Sequence, residues 1–140
     1  MASADELRAM IEANRQALKE AIEAAAAKWE QAPGGEEWTP RHIAEHAIGS
    51  ERAFAGVVAA AMQGKAPDRQ QLELPSSADA LAAMDAAAAD FSRVVRYVED
   101  RDLPKAAEVG GAYARSIEGA LQLSADHLAD HAQHMRKVSA

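Results

Sequence analysis

Four stretches of the chain repeat apolar residues at steps of three and four, and segments containing proline or glycine separate them. This spacing gathers the apolar side chains on one side of an α-helix. It predicts helices over residues 4–30, 40–62, 78–99 and 112–138. A helix with one apolar face has to bury that face against another element, and no segment has the alternating pattern of a strand. The sequence therefore predicts an all-α four-helix bundle.

Hydroxyl residues stand where the predicted helices should begin. Ser3 and Thr39 precede the first two helices, and Ser76 or Ser77 precedes the third, as is typical of N-cap positions. A chain of 140 residues is long enough to bury a core and short enough for one domain. We therefore expect residues 1–140 to form a single domain.

Composition and charge exclude several classes of function. The chain has no cysteine, which excludes disulfides, thiolate metal sites and a cysteine nucleophile. Its net charge of −7 argues against nucleic acid as a partner, because phosphate binding needs a concentrated basic face. The first residues lack the pattern of an export signal, and no apolar run is long enough to span a membrane. We therefore expect a cytoplasmic protein without a membrane partner.

Three of the five histidines fall on faces that are predicted to point inward. His127 and His131 are four residues apart in the last helix, so their rings project from one face. His46 lies on the predicted inward face of the second helix. A buried imidazole needs partners for its nitrogens, and one cation satisfies a nitrogen of each ring. Three imidazoles on a divalent ion leave a coordination position open, which is typical of catalytic rather than structural sites.

A common site for these histidines requires one particular order of helices. His46 lies near the beginning of helix 2, whereas His127 and His131 lie in the second half of helix 4. If helices 2 and 4 run parallel, the two groups differ in height by about 15 Å, but antiparallel helices bring them level. That arrangement needs a crossover between helices 2 and 3, and residues 64–76 can span about 43 Å. The metal hypothesis therefore predicts an up-down-down-up topology.

Two segments resemble a known family. Residues 38–46 are similar to the opening of helix 2 in the DinB/YfiT-like superfamily, where a Trp-Ser/Thr pair precedes an aliphatic residue and then a histidine. His127 and His131, followed by the polar His134, resemble the last helix of that family. The resemblance covers nearly the whole chain in length and helix order. The sequence departs from the pattern at Asp130, where many members have another histidine, and at His134, where many have glutamine.

The resemblance implies a bundle with the crossover between helices 2 and 3, and a divalent ion, nickel or zinc, bound by His46, His127 and His131. It also implies metal-dependent thiol chemistry of the transferase or isomerase type, with a low-molecular-weight thiol and a small-molecule substrate. Metal-activated water would make the chain a hydrolase instead. A homodimer is a further expectation from the family. The alternative is a non-enzymatic dimeric helical module whose metal site is structural, vestigial or empty.

Several details of the predicted site stay open at this point. His134 either adds a fourth nitrogen or lies at the rim, and an alternative register that pairs His131 with Met135 would lack a second imidazole. Ser50 and Ser124 lie one turn from His46 and His127, on the same faces as those histidines. Four carboxylates are candidates for orienting an imidazole, although solvated faces are the commoner place for such residues: Glu45, Glu51, Asp126 and Asp130.

Overall fold

A computed structural model describes residues 2–140 of the chain. Within this range the chain forms four α-helices, which are α1 (Ala4–Ala24), α2 (Pro40–Ala61), α3 (Ser77–Val95) and α4 (Ile117–Ser139). Short 3₁₀ turns at Ala26–Lys28 and Asp100–Asp102 follow α1 and α3. The described residues form no strand beyond an isolated bridge between Ala106 and Ser116. The all-α class is confirmed.

Each α-helix begins after a hydroxyl residue that caps it. The side chains of Ser3, Thr39, Ser76 and Ser116 each accept a hydrogen bond of 3.0–3.1 Å from a backbone N–H in the first turn. These bonds satisfy N–H groups that have no partner inside the helix. The predicted caps of the first two helices are confirmed, and Ser76 rather than Ser77 caps the third.

The beginning of α4 lies later than the sequence pattern predicts. Residues 112–116 extend the preceding loop, in which Gly111 has a φ of 73° that favours glycine. Ser116 donates its backbone N–H to the carbonyl of Ala114 at 2.8 Å and then caps α4. Tyr113 therefore belongs to the loop, and its predicted place in the last helix is wrong.

Helices α1 and α3 end earlier than predicted, at Ala24 and Val95, and a separate 3₁₀ turn follows each of them. Residues 25–30 lie beyond the end of α1 at Ala24, although Trp29 is still buried. After α3, Asp102 accepts a hydrogen bond of 2.9 Å from the backbone N–H of Glu99. That bond starts the separate turn at Asp100–Asp102, which the apolar periodicity of the sequence does not indicate.

Contacts between the helices fix their directions. The backbone N–H of Ala4, at the beginning of α1, donates to Asp100 just beyond the end of α3, so α1 and α3 are antiparallel. Midway along α1 and in the first half of α4, Asn14 donates to the carbonyl of Ala125 at 2.8 Å. Near the end of both, Lys28 donates to the carbonyl of Ala140 at 2.7 Å, so α1 and α4 are parallel.

Helices α2 and α4 are antiparallel. The ring of His46, early in α2, lies beside that of His131, late in α4, and the ring of Phe54 lies beside that of His127. Helix α3 runs parallel to α2, because Glu45 binds Leu74 before α3 begins and Arg52 binds Asp90 further along. The up-down-down-up topology is therefore confirmed.

Residues 62–76 form the crossover that returns the chain along the bundle from α2 to α3. Leu74, near its end, is buried. Its backbone N–H donates to the carboxylate of Glu45 at 2.9 Å. Its carbonyl accepts a hydrogen bond of 2.8 Å from the indole Nε1 of Trp29. Both backbone groups of this buried residue are therefore satisfied by side chains, which fixes the crossover against α2 and the end of α1.

The apolar spacing of the third predicted helix places six residues on one inward face, which are Leu81, Met84, Ala88, Phe91, Val95 and Val98. The structure buries four of them, Met84, Phe91, Val95 and Val98. Leu81 and Ala88 are only half-buried, and Ala80 and Ala87 are buried instead. Alanines occur on almost every side of this helix, so the apolar periodicity does not select one face. The side that packs inward is decided by the larger residues, such as Phe91.

A buried ion pair lies inside the apolar core. Arg15 donates from Nε to Glu51 at 2.9 Å, and the two residues are 6% and 1% exposed. Arg15 also binds Glu12 at the surface and lies over the ring of Phe91. The expectation of a solvated face for Glu51 is wrong, because Arg15 supplies the opposite charge that allows a carboxylate to be buried.

None of the helices within residues 2–140 combines the length and the apolar character needed to cross a membrane.

Removing Glu51 should strongly destabilise the fold. We expect Glu51→Ala to lower the free energy of unfolding by about 3 kcal/mol, because Arg15 would stay buried without its main partner. The control Glu12→Ala removes a largely exposed partner and should cost less than about 1 kcal/mol. Urea denaturation followed by circular dichroism measures both values, and equal losses for the two variants would contradict the role given to the buried pair.

Candidate metal centre

His46, His127 and His131 lie together between α2 and α4. The ring centroids of His127 and His131 are 5.5 Å apart, and those of His46 and His131 are 4.9 Å apart. One nitrogen from each ring can be chosen so that all three lie within 4.8 Å of one another. The antiparallel course of α2 and α4 thus brings level three side chains that are far apart in the sequence.

The three histidines differ in their exposure to solvent. His127 and His131 are half-buried between the helices, whereas His46 is exposed. The prediction that His46 points into the core is therefore wrong in part, because its ring reaches the other two from the edge of α2. The cluster is closed on the side of the core and open on the side of His46.

Two ring nitrogens of the cluster are buried and have no hydrogen-bond partner. They are Nδ1 of His127 and Nε2 of His131. Buried polar atoms are nearly always paired, since an unpaired one loses its bond to water without replacement. Imidazole nitrogens that converge without hydrogen-bond partners are what a bound cation would satisfy.

The environment disfavours the charged form of two of these rings, His131 and His46. Burial, together with repulsion from His46 and His127, lowers the pKa of His131 to about 4. Burial also lowers the pKa of His46, because its ring lies against Trp38 and His131 although the residue reaches solvent. A neutral imidazole has a lone pair that can bind a metal, which a protonated one lacks.

The donor set fits a divalent transition metal. Nickel, copper and zinc bind imidazole well, and nitrogen ligands lie about 2.0–2.1 Å from zinc. Two nitrogens on one ion are therefore at most about 4.2 Å apart, close to the 4.8 Å within which the three lie. The three-histidine cluster could hold a metal ion.

Trp38 forms a wall on one side of the cluster. Its ring meets those of His42 and His46 edge-on, with centroids 4.2 Å and 5.3 Å away. The ring of His134 lies 6.0 Å from it on the far side. Trp38 directly precedes the cap of α2, so the turn that starts this helix also places the indole next to the ligands. Trp38 belongs to the residues that resemble the family, but its contact with His134 could not be predicted from the spacing of residues.

His134 lies at the rim and outside the three-histidine cluster. Its Nε2 is 3.7 Å from a carboxylate oxygen of Glu36, which also binds Lys137 at 3.1 Å. The hydrogen bond from Lys137 is the main reason why the pKa of Glu36 is lowered. Met135 is fully buried in the core, so the register that pairs it with His131 is not the one that forms the cluster.

The carboxylates named from the sequence are engaged elsewhere or exposed. Glu45 binds Arg41 and the backbone of Leu74, and Glu51 binds Arg15. Asp126 accepts hydrogen bonds from Tyr113 at 2.7 Å and from Gln122. The hydrogen bond with Asp126 raises the pKa of Tyr113. Asp130 is exposed. Among the described residues, none of these carboxylates joins the cluster.

A small gap beneath the rings separates the cluster from the buried ion pair. Ser124, Phe54 and Glu51 line it together with His127 and His131. The hydroxyl of Ser124 is buried and, like Nδ1 of His127, has no partner among the described residues. The sequence predicted that Ser124 would be close to the histidines, and the structure confirms it. Ser50 also lines the gap, and its hydroxyl donates to the carbonyl of His46 at 2.9 Å.

A pocket of about 390 Å³ opens beside His46. Ser50 and Arg52 of α2 line it from one side, and Arg69 and Gln70 of the crossover line it from the other. The sequence pattern did not identify these residues, because the crossover has no periodicity and its path along α2 is set by tertiary contacts. The open side of the cluster therefore leads into a space that a small molecule can enter.

The stability of the metal-free protein should fall as the pH falls from 6.5 to 4. The folded state holds the pKa of His131 at about 4, against 6.5 in the unfolded chain, so protons bind first to the unfolded chain and favour it. The contribution of His131 alone lowers the free energy of unfolding by roughly 3 kcal/mol. Urea denaturation at several pH values should show a shallower loss for His131→Gln than for wild type, with pH 8 as the common reference. Parallel curves would contradict the prediction.

Comparison with known proteins agrees with this architecture. A family model described as the DinB superfamily matches residues 4–135, which include all four helices up to the last turn of α4 and all three histidines. The comparisons with curated proteins and with solved structures gave no match. Because the family model covers nearly the whole chain, the chain belongs to the DinB superfamily.

Proposed function

We propose that this chain binds a divalent metal ion, nickel or zinc, through His46, His127 and His131. The observation that carries the proposal is the pair of buried ring nitrogens without partners, on His127 and His131, beside a third imidazole. The pKa of His131, held at about 4, supports it further, because protons compete weakly for this ring at neutral pH.

The ion is part of an enzyme site. Bound there, it would polarise a substrate or lower the pKa of a coordinated thiol or water. The reaction is a thiol transfer, an isomerisation with a low-molecular-weight thiol, or a hydrolysis. The chain has no cysteine, so any attacking thiol comes from outside the protein. The substrate is a small molecule that enters through the pocket beside His46.

The residues around the cluster have distinct roles in this proposal. Trp38 and Phe54 lie against the rings of His46 and His127 and hold their orientation while excluding water from one side. Ser50 keeps its hydroxyl on the carbonyl of His46. The exposed edge of His46 is the side from which the substrate approaches. No carboxylate or thiol near the cluster is assigned as a catalytic acid or base.

The alternative, a non-enzymatic dimeric module with a structural or vestigial metal site, is less well supported. A structural metal is normally enclosed by four protein ligands, whereas the described residues supply three. The open pocket beside His46 also favours an enzyme over a closed site. The single domain of residues 1–140, the cytoplasmic location and the homodimer stay predictions.

Metal content per chain tests the proposal. Untagged protein that has been supplied with nickel or zinc and then desalted should retain close to one ion per chain, as measured by elemental analysis. His131→Ala should lower the affinity by more than about 100-fold, because it removes a direct ligand, and ligand-supporting residues alone are worth 10- to 100-fold.

His42→Ala provides the matched control. It removes an exposed histidine from the same helix as His46, outside the cluster, and should leave the metal content unchanged. Wild-type protein that retains no metal would refute the proposed function. If His131→Ala binds as tightly as wild type, the assigned ligands are wrong.

A further inference from the structure

The pocket beside His46 has a polar wall that the proposed metal site does not use. Its volume of about 390 Å³ lies between α2 and the crossover. It shares His46 with the histidine cluster, and the rest of its polar lining consists of Glu45, Ser50, Arg52, Arg69 and Gln70. A molecule in this pocket would therefore touch the two arginines and the edge of His46 together.

Arg52 lines this pocket and has a donor without a partner. The residue is 3% exposed, and its Nε donates to Asp90 at 2.9 Å. Its Nη1 is buried and has no hydrogen-bond partner among the described residues. A guanidinium carries five N–H donors in a fixed plane, so one bond to Asp90 leaves most of them unsatisfied. A buried donor without a partner is unusual, and a ligand bound beside Arg52 would supply one.

Arg69 faces the same space from the crossover. It is exposed and forms no salt bridge with the part of the chain that the structure describes. Its guanidinium is therefore free to turn toward a ligand at little cost. The two arginines come from α2 and from the crossover, and both segments line the pocket.

The acidic residues near the pocket do not neutralise this charge. Glu45 is held by Arg41 and by the backbone N–H of Leu74. Asp90 is shared between Arg52 and Arg93, with its second oxygen 2.6 Å from Arg93. Each carboxylate thus already has a cationic partner, and the positive charge of Arg69 remains in excess. An anion is the ligand that this balance favours.

We propose that the pocket binds the carboxylate of a small organic acid through Arg52 and Arg69. A planar carboxylate matches the donor fork of a guanidinium, and such charge-assisted bonds are short and strong. The volume fits a small molecule rather than a peptide. The role of this pocket rests on the proposed function. Arg52 and Arg69 would hold the acid group of the substrate beside His46, so that its reacting end lies at the metal centre.

Titration of the full-length chain with succinate tests this site, and the neutral succinamide serves as the matched ligand. The side-chain Nε–Hε signals of Arg52 and Arg69 in ¹H–¹⁵N spectra should shift with succinate and saturate. They should not shift with succinamide, which has the same shape without the charge. The same titration of His131→Ala, which lacks one of the proposed metal ligands, should give a similar result, because both arginines remain in place.

Substitutions separate the two arginines. Arg69→Met should weaken succinate binding about threefold, since an exposed ion pair contributes little. Arg52→Lys keeps a charge but loses the planar fork, and should weaken binding about tenfold or more. Arg101→Met is the control, because this exposed arginine pairs with Glu99 at the other end of the bundle and should not matter. If Arg52→Lys does not fold, the comparison of Arg69→Met with Arg101→Met still decides.

Several outcomes would overturn the proposal. The site is refuted if succinate causes no saturable shift, if succinamide binds equally well, or if Arg101→Met and Arg69→Met weaken binding equally. Tighter binding of inorganic phosphate than of succinate would refute the carboxylate assignment. Failure here is distinguishable from failure of the metal site. Zinc bound without succinate binding refutes only the acid pocket, and succinate bound through both arginines without any metal refutes only the metal centre.

Discussion

The backbone of Leu74 is the point on which the arrangement of the helices depends. Its N–H and its carbonyl bind the side chains of Glu45 and Trp29, which ties the end of the crossover to α2 and to the chain after α1. A crossover fixed along α2 makes α2 and α3 parallel. Helix α4 then runs antiparallel to α2, and this direction alone brings His46 level with His131. The candidate metal centre is thus a consequence of how the crossover is held.

Two groups of buried polar side chains lie near each other in the bundle and differ in their hydrogen-bond partners. Arg15 and Glu51 form an ion pair, with Nε of Arg15 donating to Glu51 at 2.9 Å, so their opposite charges compensate each other. Nδ1 of His127 and Nε2 of His131 have no such partner, although Glu51 and the histidines line the same small gap. Imidazole nitrogens from neighbouring rings that no side chain completes are atoms that a bound cation would satisfy. This contrast is the physical basis for assigning a metal site to these residues.

The sequence was sufficient for the fold class, the topology and the three histidines. Helical periodicity gave the four helices, and the requirement that His46 be level with His127 and His131 gave the crossover. The ends of helices were less predictable, because Glu99 and Ser116 begin new turns through side-chain bonds that periodicity does not contain. The larger residues of the inward face of α3 were predicted correctly, but alanine on every side gives no preferred direction, so Ala80 and Ala87 are buried in place of Leu81 and Ala88.

The parts of the site that were not predicted depend on long-range contacts. Arg15 falls on the apolar stripe of α1 beside Asn14, and an arginine in that position could have indicated a buried partner such as Glu51. The position of Arg69 had no comparable indication, since the crossover is irregular and its path is fixed by Leu74. The exposure of His46 also depends on the tertiary structure, because the side chain leaves from the edge of α2 rather than from its centre.

The position of a bound ion tests the central claim most directly. Crystals grown with nickel and measured on both sides of the nickel absorption edge locate the metal from its anomalous scattering, whatever reaction the protein catalyses. The account predicts one peak per chain, between the ring nitrogens of His46, His127 and His131. The absence of a peak there, or a peak at His134 and Glu36 instead, would contradict it.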